Sequence, residues 1–392
     1  MNRRHFFSAT LAASTALPLA AQAQTATKPV PKAGTPDATK LDPNMALQKK
    51  EEIPLKWHNP ETWGVEGRCW PDEERKRYYD RLPGSAEGKV TPAVWSLSRN
   101  SAGMLVRFKS DATTIHVRYK LMSPALAMPH MPATGVSGVD LYARDAKGKW
   151  RWVNVSRPAA QEFSAMLING VPKEPREWML YLPLYNGIDK LEIGVNEGAS
   201  FEGIAPAQKG MIVFYGTSIT HGACASRPGM CHPAILGRRF EMPVLNLGFS
   251  GNGKMDAAVG DFLVRLDPAV YVIDCLPNMD AKLVTERTIP LVKQLRAKRP
   301  ETPIVLVEDR RNTNAWIQPS RYEHHTANHA ALKKAFATLK EEGVKKLFYV
   351  EGDNLLGDDG DGATDGSHPN DLGFVRQADV MEPIIREALA AR

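Results

Sequence analysis

The chain has 392 residues, 43% hydrophobic and 24% charged, a composition typical of a globular protein and a length better suited to two domains than to one core. Its formal charge of +6 is spread along the sequence, with no basic block interleaved with aromatics, which excludes the usual footprint of a nucleic-acid binder.

Residues 1–23 begin with Arg3-Arg4-His5-Phe6-Phe7, run through an Ala/Leu stretch and end at Ala21-Gln22-Ala23. A charged head, an apolar run too short to span a bilayer and a small-x-small cleavage site read as an export signal. The paired arginines resemble the twin-arginine type, with an ordinary signal as the other reading. The expected location is periplasmic or secreted, with no membrane contact once the signal is removed. Residues 24–52, rich in Thr, Lys, Pro and Ala, have too little apolar surface to fold and read as a flexible linker.

Residues 53–205 read as an all-β domain. Thr113 to Tyr119, Trp150 to Val155 and Leu191 to Val195 alternate with period two, and Met104 to Phe108, Val139 to Ala143 and Trp178 to Leu184 are further strands between Gly, Pro, Asp and Asn turns. Short strands at this spacing predict a jelly-roll-like β-sandwich. From 206 to 392 the pattern changes. Met211 to Tyr215, Val244 to Leu247, Val270 to Ile273, Ile304 to Val307 and Leu347 to Val350 are apolar without alternation, as in strands buried on both faces. Helical stretches at 282–298, 322–342 and 372–391 lie among them. The prediction is a three-layer α/β/α domain with a five-stranded parallel sheet, its ligands bound beyond the carboxyl ends of the strands.

Four blocks follow such strand ends. Ser218, in Gly216-Thr217-Ser218, can present a hydroxyl at a strand-to-helix turn, although alone it reads equally as a helix cap. It is not in a G-x-S-x-G elbow, since position 220 is Thr. Gly251, in the run from Asn246 to Gly253, allows close backbone approach and an N–H donor; the spacing matches no nucleotide-binding loop. Asn278 offers a side-chain N–H, or an Asx-turn after Pro277. Asp365 and His368, spaced D-x-x-H on one loop, can supply an orienting carboxylate and a base, and Pro369 can open the last helix.

In this order the blocks resemble the SGNH (GDSL-type) hydrolases. The resemblance implies Ser218 as nucleophile, His368 as base and Asp365 as orienting acid, with an oxyanion hole from Ser218, Gly251 and Asn278 and no metal or organic cofactor. Two positions depart from the family pattern: Thr217 where Asp is frequent, and Pro277 where Gly is usual. Gly138-Val139-Asp140-Leu141-Tyr142 resembles the GxDLY motif of β-sandwiches that precede some bacterial SGNH domains. It implies a companion domain that walls one side of the cleft, with Asp140 and Tyr142 in strand packing and a turn contact rather than catalysis.

The implied activity is that of a serine esterase removing acyl groups, above all O-acetyl, from an oligosaccharide or polysaccharide. An aryl or short-acyl esterase or lipase is the alternative among enzymes; a carbohydrate-binding protein with an inactive hydrolase domain is the alternative outside them. Three further features carry alternative readings. Cys224 and Cys231 could pair across a short loop, or all of Cys69, Cys224, Cys231 and Cys275 could be buried thiols. His325 and His329, spaced i, i+4 on a helix, could with His324 bind a metal, but no third ligand has suitable spacing and they read as a solvated or cleft-facing histidine face. Asp358 to Gly362 fails the EF-hand register and reads as an acidic approach to the D-x-x-H loop.

Overall fold

The computed structural model describes residue 42 and residues 53–392, so the export signal and nearly all of the linker lie outside the described residues. Period-two alternation becomes a pair of antiparallel sheets. The strands are β1 (Leu55–His58), β2 (Leu105–Ser110), β3 (Thr114–Leu121), β4 (Asp140–Arg144), β5 (Trp150–Val155), β6 (Glu162–Asn169), β7 (Arg176–Tyr181), β8 (Ile188–Asn196) and β9 (Phe201–Ile204). One sheet has the order β1-β8-β3-β6 and the other β5-β4-β7-β2-β9. Along β3, Ile115, Val117, Tyr119 and Leu121 are buried while Arg118 and Lys120 face solvent. The inward set meets Val106, Phe108, Leu141, Trp178 and Leu180 of the opposite sheet in one apolar cluster, which makes the expected sandwich.

The non-alternating runs form β10 (Ile212–Gly216), β11 (Val244–Gly248), β12 (Val270–Asp274), β13 (Ile304–Val307) and β14 (Leu347–Val350), all parallel, in the order β11-β10-β12-β13-β14. Between and after them lie α1 (Ser218–His221), α2 (His232–Phe240), α3 (Ala257–Leu263), α4 (Ala281–Lys298), α5 (Pro319–Glu341) and α6 (Asp371–Ala390). Asp280 caps α4 by accepting from the Leu283 N–H, and Asn370 caps α6 by accepting from the Gly373 N–H. Pro369 therefore sits just outside the last helix, one residue before the cap, rather than in its first turn.

β10 lies between the second and third strands of its domain, so the direction of chain progression reverses there; such a switch point is where open parallel sheets bind ligands. Gly216 pairs with both Gly248 and Asp274, so the three strands end level and their loops emerge from one edge.

The sandwich keeps a core of its own, and both faces of the parallel sheet are packed in part by residues from before position 206. On one face of the parallel sheet, Val213, Tyr215, Leu245 and Ile273 pack with Phe262, Leu291 and Leu332 of the helices, and also with Cys69, Trp70, Leu82 and Val94 from the segment between β1 and β2. On the other face, Ile212, Phe214, Val272 and Val305 pack with Phe374, Met381 and Ile385 of α6 and with Leu105, Tyr142, Met179 and Tyr181 of the sandwich. Each fully buried side chain of this size stabilises by about 1.5–3 kcal/mol, and residues 53–392 belong to one compact unit.

Candidate active site

β10 is followed at once by a sharp turn. Thr217 is extended and its hydroxyl oxygen accepts from the Ile219 N–H, so the capping residue is Thr217, and Ser218 is the first residue of α1. The turn packs against β11 so closely that a Cβ on Gly248 would lie 2.1 Å from the His221 nitrogen. Ser218 is only 6% exposed, and its Oγ–H donates to His368 Nε2 at 2.9 Å across 150 residues of chain. The His368 Nδ1–H donates to Asp365 Oδ2 at 2.7 Å, leaving the lone pair of Nε2 for the serine proton. Burial works against ionisation of Asp365. The main-chain N–H groups of His368 (2.7 Å) and Ser367 (3.0 Å), with the His368 ring, outweigh it and hold the carboxyl down at about 2.

His221, three residues after Ser218, is not a competing base. Its ring is wholly buried, stacks on Tyr185 at 4.1 Å and donates from Nε2 to the Leu184 carbonyl oxygen at 2.7 Å. Burial, reinforced by Arg81, pushes its pKa well down and keeps it neutral.

Gly251 and Asn278 stand on the loops after the strands that flank β10. Gly251 has φ +68°, a Cβ there would meet nothing within 4 Å, and its N–H has no partner among the described residues. Asn278 ends a 3-10 turn, and its Oδ1 is buried without a hydrogen bond, so the side chain does not form an Asx-turn. A buried acceptor left unpaired is destabilising by about 1–3 kcal/mol, which a donor group of a bound ligand can return.

Several residues around this site carry no sequence signal. Arg81 is fully buried and donates to four main-chain oxygens: Asn100, Leu97, and Asn246 and Gly248 at the end of β11. It fixes the root of the Gly251 loop from the sandwich side. The Tyr185 hydroxyl donates to the Ser218 carbonyl oxygen at 3.2 Å. Thr220 donates to Asp274 at 2.7 Å, and burial raises the Asp274 carboxyl to about 7. Arg310 donates to the Ser367 carbonyl and hydroxyl oxygens, bracing the D-x-x-H loop from β13. The only available signal was proximity in sequence to a strand end, which Asp274 has and Arg81 lacks.

The GxDLY residues form a clasp. Asp140, fully buried, accepts from Trp152 Nε1 (2.9 Å), Arg227 (2.9 Å) and the Gly229 N–H (2.8 Å); Tyr142 also meets Arg227. A Cβ on Gly138 would lie 2.4 Å from the Thr134 carbonyl oxygen, which explains the glycine. Ser226 on the same loop donates from its N–H (2.9 Å) and hydroxyl (2.5 Å) to Asp371, so the clasp reaches the start of α6.

All four cysteines are free and buried, so Cys224 and Cys231 are not bridged. His325 and His329 are not solvated: both are buried and donate to Asp309, to its carboxylate at 2.8 Å and its carbonyl oxygen at 2.6 Å. His324 alone is exposed. In the acidic run, Asp359 pairs with Arg376.

Residues 209–386 match the GDSL-like lipase/acylhydrolase family model, and residues 55–201 match the GxDLY domain described as the N-terminus of SGNH-hydrolase-type esterases. A solved structure described as a GDSL-like lipase, from Bacteroides ovatus, is 32% identical, with 86% of this chain and 98% of that one covered and a TM-score of 0.80. A salicylyl-acyltransferase from a tetracycline biosynthetic pathway is similar at 18% identity, covering 85% of this chain and 97% of that one, with a TM-score of 0.67. An acetyl xylan esterase from the rumen bacterium Butyrivibrio proteoclasticus is 11% identical over 86% of this chain and 99% of its own, at a TM-score of 0.51. These last two share the fold. No curated protein matches the chain.

Proposed function

The chain belongs to the GDSL-like lipase/acylhydrolase family, and from that premise we propose that it is an exported serine esterase that removes O-acetyl groups from a carbohydrate. The observation that carries the reading is the unbroken relay from Ser218 through His368 to Asp365 at the switch point of the parallel sheet.

In this mechanism Ser218 Oγ attacks the ester carbonyl carbon while Nε2 of His368 takes its proton, and Asp365, ionised down to about pH 2, stabilises the imidazolium. The N–H groups of Ser218 and Gly251 and the amide of Asn278 hold the oxyanion; loss of one such donor typically raises the barrier by ~3–4 kcal/mol. The tetrahedral adduct collapses, the sugar oxygen leaves with the proton from His368, and an acetyl-serine remains. Water, deprotonated by the same imidazole, then releases acetate.

The surroundings of the relay suit a carbohydrate. Thr313 donates from its N–H to the Gly366 carbonyl oxygen at 2.9 Å, which ties the 312–318 loop to the D-x-x-H loop, and on it Trp316 is 82% exposed. Ile317 beside it is 62% exposed, and the flat apolar face of an indole suits a sugar ring. A polar cavity of about 250 Å³ adjoins, lined by Pro277, Arg310, Asn312, Ser320, Arg321 and Ser367, among others. The acetyl xylan esterase of the same fold lends its substrate class.

Acetate release from a panel of acetylated polysaccharides, compared with hydrolysis of aryl acetates, butyrates and longer esters, tests the proposal. The expected result is fastest turnover of acetylated saccharides, with Trp316→Ala raising KM for polysaccharide and leaving aryl acetate unaffected. Preference for long acyl chains overturns it.

A further inference from the structure

The relay does not stand alone on its loop. His130, Cys224, Asp365 and His368 bring one ligand atom each into a cluster in which all four lie within 4.8 Å of one another. They come from three separate segments. His130 is exposed on the Met128–Met131 turn of the sandwich region, with its ring 5.9 Å from that of His368. Cys224 lies on the loop after α1, and Asp365 and His368 on the loop before α6.

Nitrogen, sulfur and carboxylate donors in this number are what tetrahedral zinc takes. Zn–N bonds of about 2.0–2.1 Å and Zn–S bonds of about 2.3 Å set ligand atoms roughly 3.3–3.6 Å apart, so shifts of about an ångström close the cluster on an ion. The thiolate selects zinc over magnesium and calcium. Cys224 also stands at φ +70°, a left-handed conformation unfavourable for a side-chain-bearing residue by about 1–2 kcal/mol, in a loop where the preceding left-handed position, residue 222, is Gly.

We propose that His130, Cys224, Asp365 and His368 form an inhibitory zinc site that captures the base of the relay. On binding, the Cys224 thiol loses its proton to solvent and the sulfur bonds to the metal. Whichever ring nitrogen His368 supplies, the relay is broken: through Nε2 it no longer accepts the Ser218 proton, and through Nδ1 it parts from Asp365. The inhibition rests on the esterase reading, whereas binding does not.

The test is a titration of the folded protein with zinc chloride, followed by calorimetry and, in parallel, by ester hydrolysis. The wild type should bind one zinc at micromolar concentration or below, lose activity with the same midpoint and recover it with EDTA. Cys224→Ser and His130→Ala should each keep basal activity and weaken binding at least tenfold, with the inhibition midpoint moving in step. Should Cys224→Ser fail to fold, the surface variant His130→Ala decides alone. Absence of a one-to-one site, or unchanged affinity in His130→Ala, overturns the proposal. Zinc bound by a wild type that hydrolyses no ester would remove the esterase reading and leave the site standing.

Discussion

Asp365 with His368 and Asp140 with Arg227 are both carboxylates held by a basic side chain, and they differ in almost everything else. The first pair is three residues apart on one loop, partly open to solvent, with its carboxyl held at about 2. The second joins positions 87 residues apart, with Asp140 wholly buried, and burial pushes that carboxyl upward against the pull of Arg227. A group that moves protons needs access and a fixed orientation. A group that holds two regions together needs the opposite, a dry contact whose loss leaves a charge stranded.

Substitutions on the two sides should therefore separate activity from stability. Ser218→Ala removes the proposed nucleophile and should lower kcat/KM by at least ~10³-fold while the melting temperature stays nearly constant. A variant that keeps its activity would break the comparison at once. Asp140→Ala strands the Arg227 guanidinium and should lower unfolding free energy by about 3–5 kcal/mol in denaturant titrations, with most of the activity per folded molecule retained. Loss of activity as deep as that of Ser218→Ala, in protein still folded, would place Asp140 in the chemistry instead.

Asp274 gives a finer test, through pH. Its carboxyl is raised to about 7 in the folded protein against 3.8 unfolded, so between those values the folded state keeps a proton that the unfolded state releases. Stability should fall as pH rises through that window, by on the order of a few kcal/mol in total, and level off above it. Asp274→Asn keeps an oxygen for Thr220 and should flatten the slope of denaturant midpoint against pH between 5 and 8. Identical slopes in the two proteins would mean that Asp274 is charged throughout.

The contrast also explains what could be read from sequence. The five parallel strands were visible because burial on both faces leaves an unbroken apolar run, and Ser218, Gly251, Asn278 and the Asp365 to His368 loop because each follows a strand end. Strands β1, β6 and β9 carry too little signal: β1 is four residues long with none of them fully buried, Leu167 is the only buried residue of β6, and β9 is four residues long with Gly203 inside it. Residues 60–102 carry no strand periodicity, yet Trp70, Leu82 and Val94 fill the core under the parallel sheet. Arg81 was illegible for a simpler reason. Its partners are main-chain oxygens up to 167 residues away, and no sequence pattern marks a carbonyl that needs a donor. Tyr185 reaches the site from the sandwich region in the same way, so the relay was readable and the frame that seats it was not.

The most direct measurement is covalent. Incubation with a fluorophosphonate, followed by mass spectrometry of the digested protein, should show a single adduct on the peptide carrying Ser218, absent after replacement of His368 by Ala. An adduct on any other serine, or none at ester-hydrolysing concentrations of enzyme, would contradict the assignment of Ser218 as the attacking group.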